Sequence, residues 1–323
     1  MTKNFTQGIK GISIIIIVAI HCLNQFGVEH IQFIAAIGVS LFLIVSGYGI
    51  ECSYQNNGLK WFWLKRFLTV IIPYWIVQIA ASIVWQWDRQ MLINGICFIE
   101  SNWFVPYILG CYLIFWITSL IFKHNRIYVL TGLFIVWLII DSVLSSKMLI
   151  GDISPILRTR QMLCFPFGMW LARGNNIDGN GTDDSNKGAY NTAKLFGAVG
   201  KLKQCIIGVA LMIAGLVITV ISQLGIVESM PMLLQGAVSI FTVFPIAVGA
   251  LMVMDLINSV VGSKVFVFFG MISYELFLTH WQSIDQLYMQ WYGIRQFLGF
   301  TLIGTLVLVL INKFVISKIK KIL

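Results

Sequence analysis

Apolar blocks of about 20 residues recur along nearly the whole chain, each long enough for a helix to cross a hydrocarbon layer roughly 30 Å thick. About ten such blocks can be read: residues 8–26, 31–54, 67–87, 103–122, 127–146, 156–173, 203–224, 232–254, 266–284 and 296–317. They are continuous and lack two-residue alternation. A segment in lipid must satisfy its own backbone polar groups, so these blocks are predicted to be helices rather than strands. Composition agrees. Of 323 residues, 58% are hydrophobic and 11% are charged, against about 25% charged in an ordinary soluble domain. The fold class is therefore expected to be all-α, a polytopic membrane helix bundle forming one domain over residues 1–323.

The net charge of +9 raises nucleic acid as a partner, but the basic residues cluster between apolar blocks and form no stripe interleaved with aromatics. They read as topology determinants and as contacts for anionic membrane lipids, so no nucleic acid is expected. With the amino terminus in the cytoplasm, seventeen of the 22 basic residues fall on the inner side. The outer side keeps Arg89, Lys147, Arg158, Arg160 and Arg295. That asymmetry predicts both termini in the cytoplasm. One connection is long. Residues 174–202 are rich in Gly, Asn and Asp, cannot bury a core, and are expected to form a flexible cytoplasmic loop within the domain. The six cysteines show no paired ligand spacing, which argues against a disulfide framework and a metal site. The first block has no small-residue cleavage site and reads as a retained helix, not a signal peptide.

An ionisable side chain costs roughly 2.5–3.5 kcal/mol at the centre of a membrane helix, so each one inside a block is a functional candidate. The candidates are His21, Glu51, Asp141, Glu275 and His280. His21 ends the run ISIIIIVAI, and Lys10 lies on the same helical face, roughly 16 Å away along the axis. His280 is expected at a depth like that of His21. Ser273, Phe277 and His280 share one face of their helix, whereas Glu275 faces elsewhere and is expected to pair with another helix. Lys65 and Arg66 open the third block at the inner rim. Arg158 and Arg160 stand at the outer rim, placed to hold an anionic acceptor or a carboxylate such as Asp152. Competing bland readings apply to all of these: structural hydrogen bonding for the histidines, topology for Lys10, Lys65 and Arg66, and an interfacial aromatic belt for Trp61, Trp63, Trp103, Trp281 and Trp291.

Together these residues resemble the acyltransferase-3 family of bacterial membrane acyltransferases. Lys10 and His21 fit the family's basic residue, ten residues, histidine spacing within IKGISIIIIVAIH. FLIVSGYGI, with Ser46, Gly47 and Tyr48, resembles its Phe-x-x-Ser-Gly-aromatic segment. FWLKRFLTVIIPYW resembles its basic cluster ahead of a proline. Trp103 and Phe104 match a Trp-Phe pair, and SYELFLTH, residues 273–280, matches a late Ser-Tyr-x-x-aromatic-Leu-x-His segment. One departure concerns the donor site: Thr69 stands where the family often has a second arginine, three residues after Arg66, and Lys65 is the candidate substitute.

The resemblance implies an O-acyltransferase of the bacterial cytoplasmic (inner) membrane. Its donor would be cytoplasmic acyl-coenzyme A, with acetyl-coenzyme A expected. Its acceptor would be an extracytoplasmic sugar, polysaccharide or other cell-envelope hydroxyl. The catalytic candidates are His21 as general base, His280, and Asp141 as an orienting carboxylate. Lys10, Lys65 and Arg66 are the donor-binding set, and Arg158, Arg160 and Trp103 the substrate-binding set. A second copy of the chain or an envelope-biosynthesis partner is an open expectation. The rival reading is a polytopic transporter or flippase of an envelope precursor, but no internal repeat and no matched pair of broken helices supports it.

Overall fold

The computed structural model describes residues 1–24, 31–99, 103–122, 125–146, 160–177, 196, 200–224, 227, 229–290 and 293–322. Among these there are helices and turns but no strand. The helices are α1 (Lys3–Asn24), α2 (Gln32–Asn57), α3 (Phe62–Val84), α4 (Arg89–Ile96), α5 (Phe104–Ile121), α6 (Arg126–Ser146), α7 (Cys164–Ile177), α8 (Lys201–Gln223), α9 (Met232–Leu256), α10 (Asn258–Val261), α11 (Lys264–Met271), α12 (Ser273–Gln290) and α13 (Ile294–Ile322). Among the described residues, seven helices are long and apolar enough to cross a membrane: α1, α2, α3, α5, α8, α9 and α13. The chain is an all-α polytopic helix bundle.

Each apolar block of the sequence holds a helix. The block at 266–284 is divided, with α11 ending at Met271 and α12 starting at Ser273. The helix α4 was not anticipated; it is started by Asp88, whose side chain accepts a hydrogen bond from the Met91 amide at 2.8 Å and so satisfies an orphan donor of the first turn. The expected loop 174–202 is shorter at both ends, because α7 continues to Ile177 and α8 begins at Lys201. Its residues 178–195 and 197–199 lie outside the described residues, as do Lys147, Asp152 and Arg158.

Close backbone approach holds the centre together. Between apolar helices in lipid there is little hydrophobic drive, so tight packing through small residues carries the association. A Cβ on Gly11 of α1 would stand 1.9 Å from the Phe266 carbonyl oxygen of α11, and one on Gly270 would stand 1.9 Å from the Gln7 carbonyl oxygen. The same device joins α2 to α7, where Gly168 would meet the Ile44 carbonyl oxygen at 1.9 Å and Gly47 the Phe165 carbonyl oxygen at 2.1 Å. The helix α1 thereby sits between α2 on one side and α11 and α12 on the other.

The helix α3 carries a π-helical turn over Phe67–Ile71, just ahead of Pro73. Proline lacks an N–H, and its ring crowds the carbonyl four residues earlier, here that of Thr69. A widened turn absorbs both effects. The Tyr274 hydroxyl of α12 donates to the Val70 carbonyl at 2.9 Å within that turn, which ties α12 to α3.

Gly11→Val should drive α1 away from α11 and lower stability by about 1–3 kcal/mol or more, the cost of overpacking. A Cβ at Gly132 meets nothing within 4 Å, so Gly132→Ala should leave stability unchanged or slightly raised. Thermal unfolding of the two variants in one detergent measures the contrast.

Candidate functional site

His21 lies three residues before the end of α1, and His280 lies on α12. The contact of α1 with α12 brings them together. His21 Nδ1 is 3.0 Å from His280 Nε2. The rings lie end to end and nearly coplanar, with centroids 5.3 Å apart and planes 14° from parallel. His280 is fully buried, and its Nδ1 lies 3.1 Å from the Leu276 carbonyl oxygen one turn earlier. His21 is half-buried. Its Nε2 has no hydrogen-bond partner among the described residues.

Aromatic rings wall this pair. Trp281 meets the His21 ring edge-on at 5.8 Å, and Phe277 lies 5.4 Å from the His280 ring. Phe277 in turn packs on Phe104 at 4.9 Å, and Phe104 on Trp103 at 6.0 Å. Trp103 thus belongs to the aromatic cluster that surrounds the histidines, two rings removed from His280. Arg160 lies in the turn before α7, half-buried. That turn leads to Cys164, which interacts with Ser40 of α2, two residues from where Gly38 packs on Ile17 of α1. Arg160 therefore sits toward the half of the bundle that carries His21. Asp141 is on α6, but its side chain lies outside the described residues.

The opposite end of α1 is cationic. Lys10 is half-buried and close enough to Arg66 to feel its charge. The Arg66 guanidinium lies over two aromatic rings, 5.0 Å from the Tyr112 centroid and 5.4 Å from the Phe62 centroid. The Tyr112 phenol interacts with both Arg66 and Ser46. Ser46 and Arg66, from two separate sequence segments, thus meet on one tyrosine. Arg66 Nε is buried and has no partner among the described residues. Lys65 is exposed, one turn before the exposed Thr69. Between α1 and α2 a cleft of about 250 Å³ is lined by Lys3, Thr6, Lys10, Ser53, Asn56 and Asn57 among others.

Two carboxylates, Glu51 buried and Glu275 half-buried, find partners on neighbouring helices. Glu51 of α2 is fully buried and pairs with Arg126 at the start of α6. Arg126 also lies over the Tyr54 ring at 4.1 Å, and Gln55 donates to Glu51 at 3.1 Å. Sequence reasoning took Arg126 only as a topology residue. The signal for its role was the depth of Glu51: a carboxylate that far inside needs a cation at its own level, and Arg126 opens a helix there. Glu275 behaves as its helical face implied, accepting from Asn312 of α13 at 3.1 Å.

Among known proteins, a family profile described as an acyltransferase domain, the acyltransferase-3 type, matches residues 4–312. No curated protein and no solved structure matches the chain.

Arg126→Met should destabilise the protein by about 3–5 kcal/mol, because it strands the buried Glu51 charge. Adding Glu51→Leu to Arg126→Met should recover much of that loss. Unfolding midpoints of the single and double variants in detergent measure both effects.

Proposed function

Because the chain belongs to the acyltransferase-3 family, we propose that this membrane acyltransferase moves an acyl group, acetyl first among the candidates, from cytoplasmic acyl-coenzyme A to a hydroxyl of an extracytoplasmic glycan or other cell-envelope acceptor. The observation that carries the proposal is the polarity of α1: Lys10 beside Arg66 toward one end, His21 against His280 at the other. One helix therefore connects a cationic pocket suited to phosphates with an imidazole suited to proton transfer.

In this mechanism His21 acts as general base. The acceptor O–H gives its proton to His21 as the hydroxyl oxygen bonds to the thioester carbonyl carbon. Collapse of the tetrahedral intermediate breaks the C–S bond, and the thiolate leaves as the thiol after taking the proton back. Lys3, Lys10 and Arg66 would meet the donor's phosphates. The cleft beside Lys10 has room for a phosphorylated end, and the buried Nε of Arg66 lacks a partner that an anion would supply. Lys65 is exposed at the same end and would add long-range attraction. The acyl-bearing arm would run along α1 to His21. Trp103 and Arg160 would bound the acceptor site, Trp103 through its aromatic cluster and Arg160 through its charge.

Purified His21→Ala should fold yet lose transfer from acetyl-coenzyme A to an acceptor glycan by about 100-fold or more, the usual contribution of a positioned base. Free-thiol release measures the rate, and wild-type turnover would remove His21 from the mechanism. Arg66→Ala should raise the donor KM by about tenfold, in keeping with the loss of charge-assisted bonding, while the acceptor KM changes little. Steady-state titration of each substrate separates the two constants.

A further inference from the structure

We infer that His280 is a positioning residue that sets the tautomer of His21, so that the base is His21 Nε2 and no carboxylate is needed to orient it. The inference rests on the proposed role of His21, and three observations carry it. First, His280 Nδ1 lies 3.1 Å from the Leu276 carbonyl oxygen. A carbonyl can only accept, so His280 Nδ1 must carry the hydrogen. Second, neutral His280 then has a bare Nε2, and that atom faces His21 Nδ1 at 3.0 Å. A lone pair requires a donor opposite, so His21 Nδ1 carries its own hydrogen and Nε2 keeps the free lone pair. Third, the rings are oriented for this bond. They lie end to end with planes within 14° of parallel, so the Nδ1–H of His21 points at the in-plane lone pair of His280, while Trp281 meets the edge of His21 and Phe277 lies against His280.

The chain of hydrogen bonds runs from His21 Nδ1 to His280 Nε2, and from His280 Nδ1 to Leu276 O. It has a definite direction and ends on a backbone carbonyl. That end has a chemical consequence. When His21 takes the acceptor's proton on Nε2, its Nδ1–H can bond more strongly to His280 Nε2. His280 cannot pass its own Nδ1 proton onward, because a peptide carbonyl is not a base. The proton therefore stays within the His21–His280 pair until the departing thiolate collects it from His21 Nε2. His280 thus does for His21 what a buried carboxylate does for the histidine of a hydrolase triad: it holds one ring nitrogen protonated and the other free. It does so without placing a negative charge in an apolar surrounding, where an isolated carboxylate would be costly.

The test combines a spectroscopic signature with kinetics. The chain has 4 histidines, so protein labelled with ¹⁵N-histidine gives a spectrum simple enough to assign by difference from His21→Gln. In wild-type protein His21 should show a protonated Nδ1 and a bare Nε2. In His280→Phe, which keeps an aromatic ring but offers no acceptor, the His21 signal should shift toward the Nε2–H form. The same variant should lose kcat by about 100-fold with the donor KM little changed. His280→Gln, which restores an acceptor oxygen, should recover part of kcat and of the Nδ1–H signal. An Nε2–H signal for His21 in wild-type protein would overturn the inference, as would wild-type kcat in His280→Phe. If His21→Ala retains turnover, the base role fails; the ¹⁵N signature still reports the hydrogen-bond direction on its own, so the two failures are distinguishable.

Discussion

The distance at which α1 passes its neighbours governs the rest of the bundle. Lipid offers apolar helices no strong reason to associate, so contact depends on how near their backbones can come. Gly8, Gly11 and Gly270 remove the side chains that would hold α1 apart from α10 and α11. With α11 seated there, α12 follows after Met271 and runs beside α1. His280 then reaches His21 at hydrogen-bond distance. Displacing α1 or α12 would strain that 3.0 Å contact, because the two imidazoles are carried by separate helices.

Polar contacts inside the bundle cross between helices. The Glu51–Arg126 pair, the Glu275–Asn312 bond and the threonine cluster in which Thr279 meets Thr305 at 2.7 Å each bind one helix to another. The two ends of α1 carry the groups of the proposed site. Among the described residues Arg66 Nε has no partner and His21 bonds only through Nδ1, while Lys10 borders a cleft. An uncompensated polar group is expensive in such a setting; Lys10 and His21 lie on α1, with Arg66 of α3 near Lys10, along the path proposed for the donor.

Much of this was legible in the residue order. Long continuous apolar runs without two-residue alternation specified helices, which satisfy their own backbone in lipid, and every run holds one. His21 and His280 were conspicuous because imidazoles rarely sit so deep, and the spacing of Ser273, Phe277 and His280 placed that face correctly. The Ser46–Gly47 and Arg66 segments could be recognised as motifs, but not as neighbours meeting on Tyr112. That junction depends on helices far apart in sequence. The break at Ile272, the π-turn before Pro73 and the helix α4 depend on local packing and capping that hydrophobic pattern does not record. Arg126 was hidden because a lysine or arginine at a helix start has a sufficient explanation in topology alone.

Sidedness tests the proposed reaction most directly. Oriented protein in sealed vesicles should be given acetyl-coenzyme A only on the Lys10 and Arg66 side and a glycan acceptor only on the His21 side. The account predicts that free thiol appears with the donor while acylated glycan appears across the bilayer, and that exchanging the two compartments abolishes both. Transfer only when donor and acceptor share one compartment would contradict it.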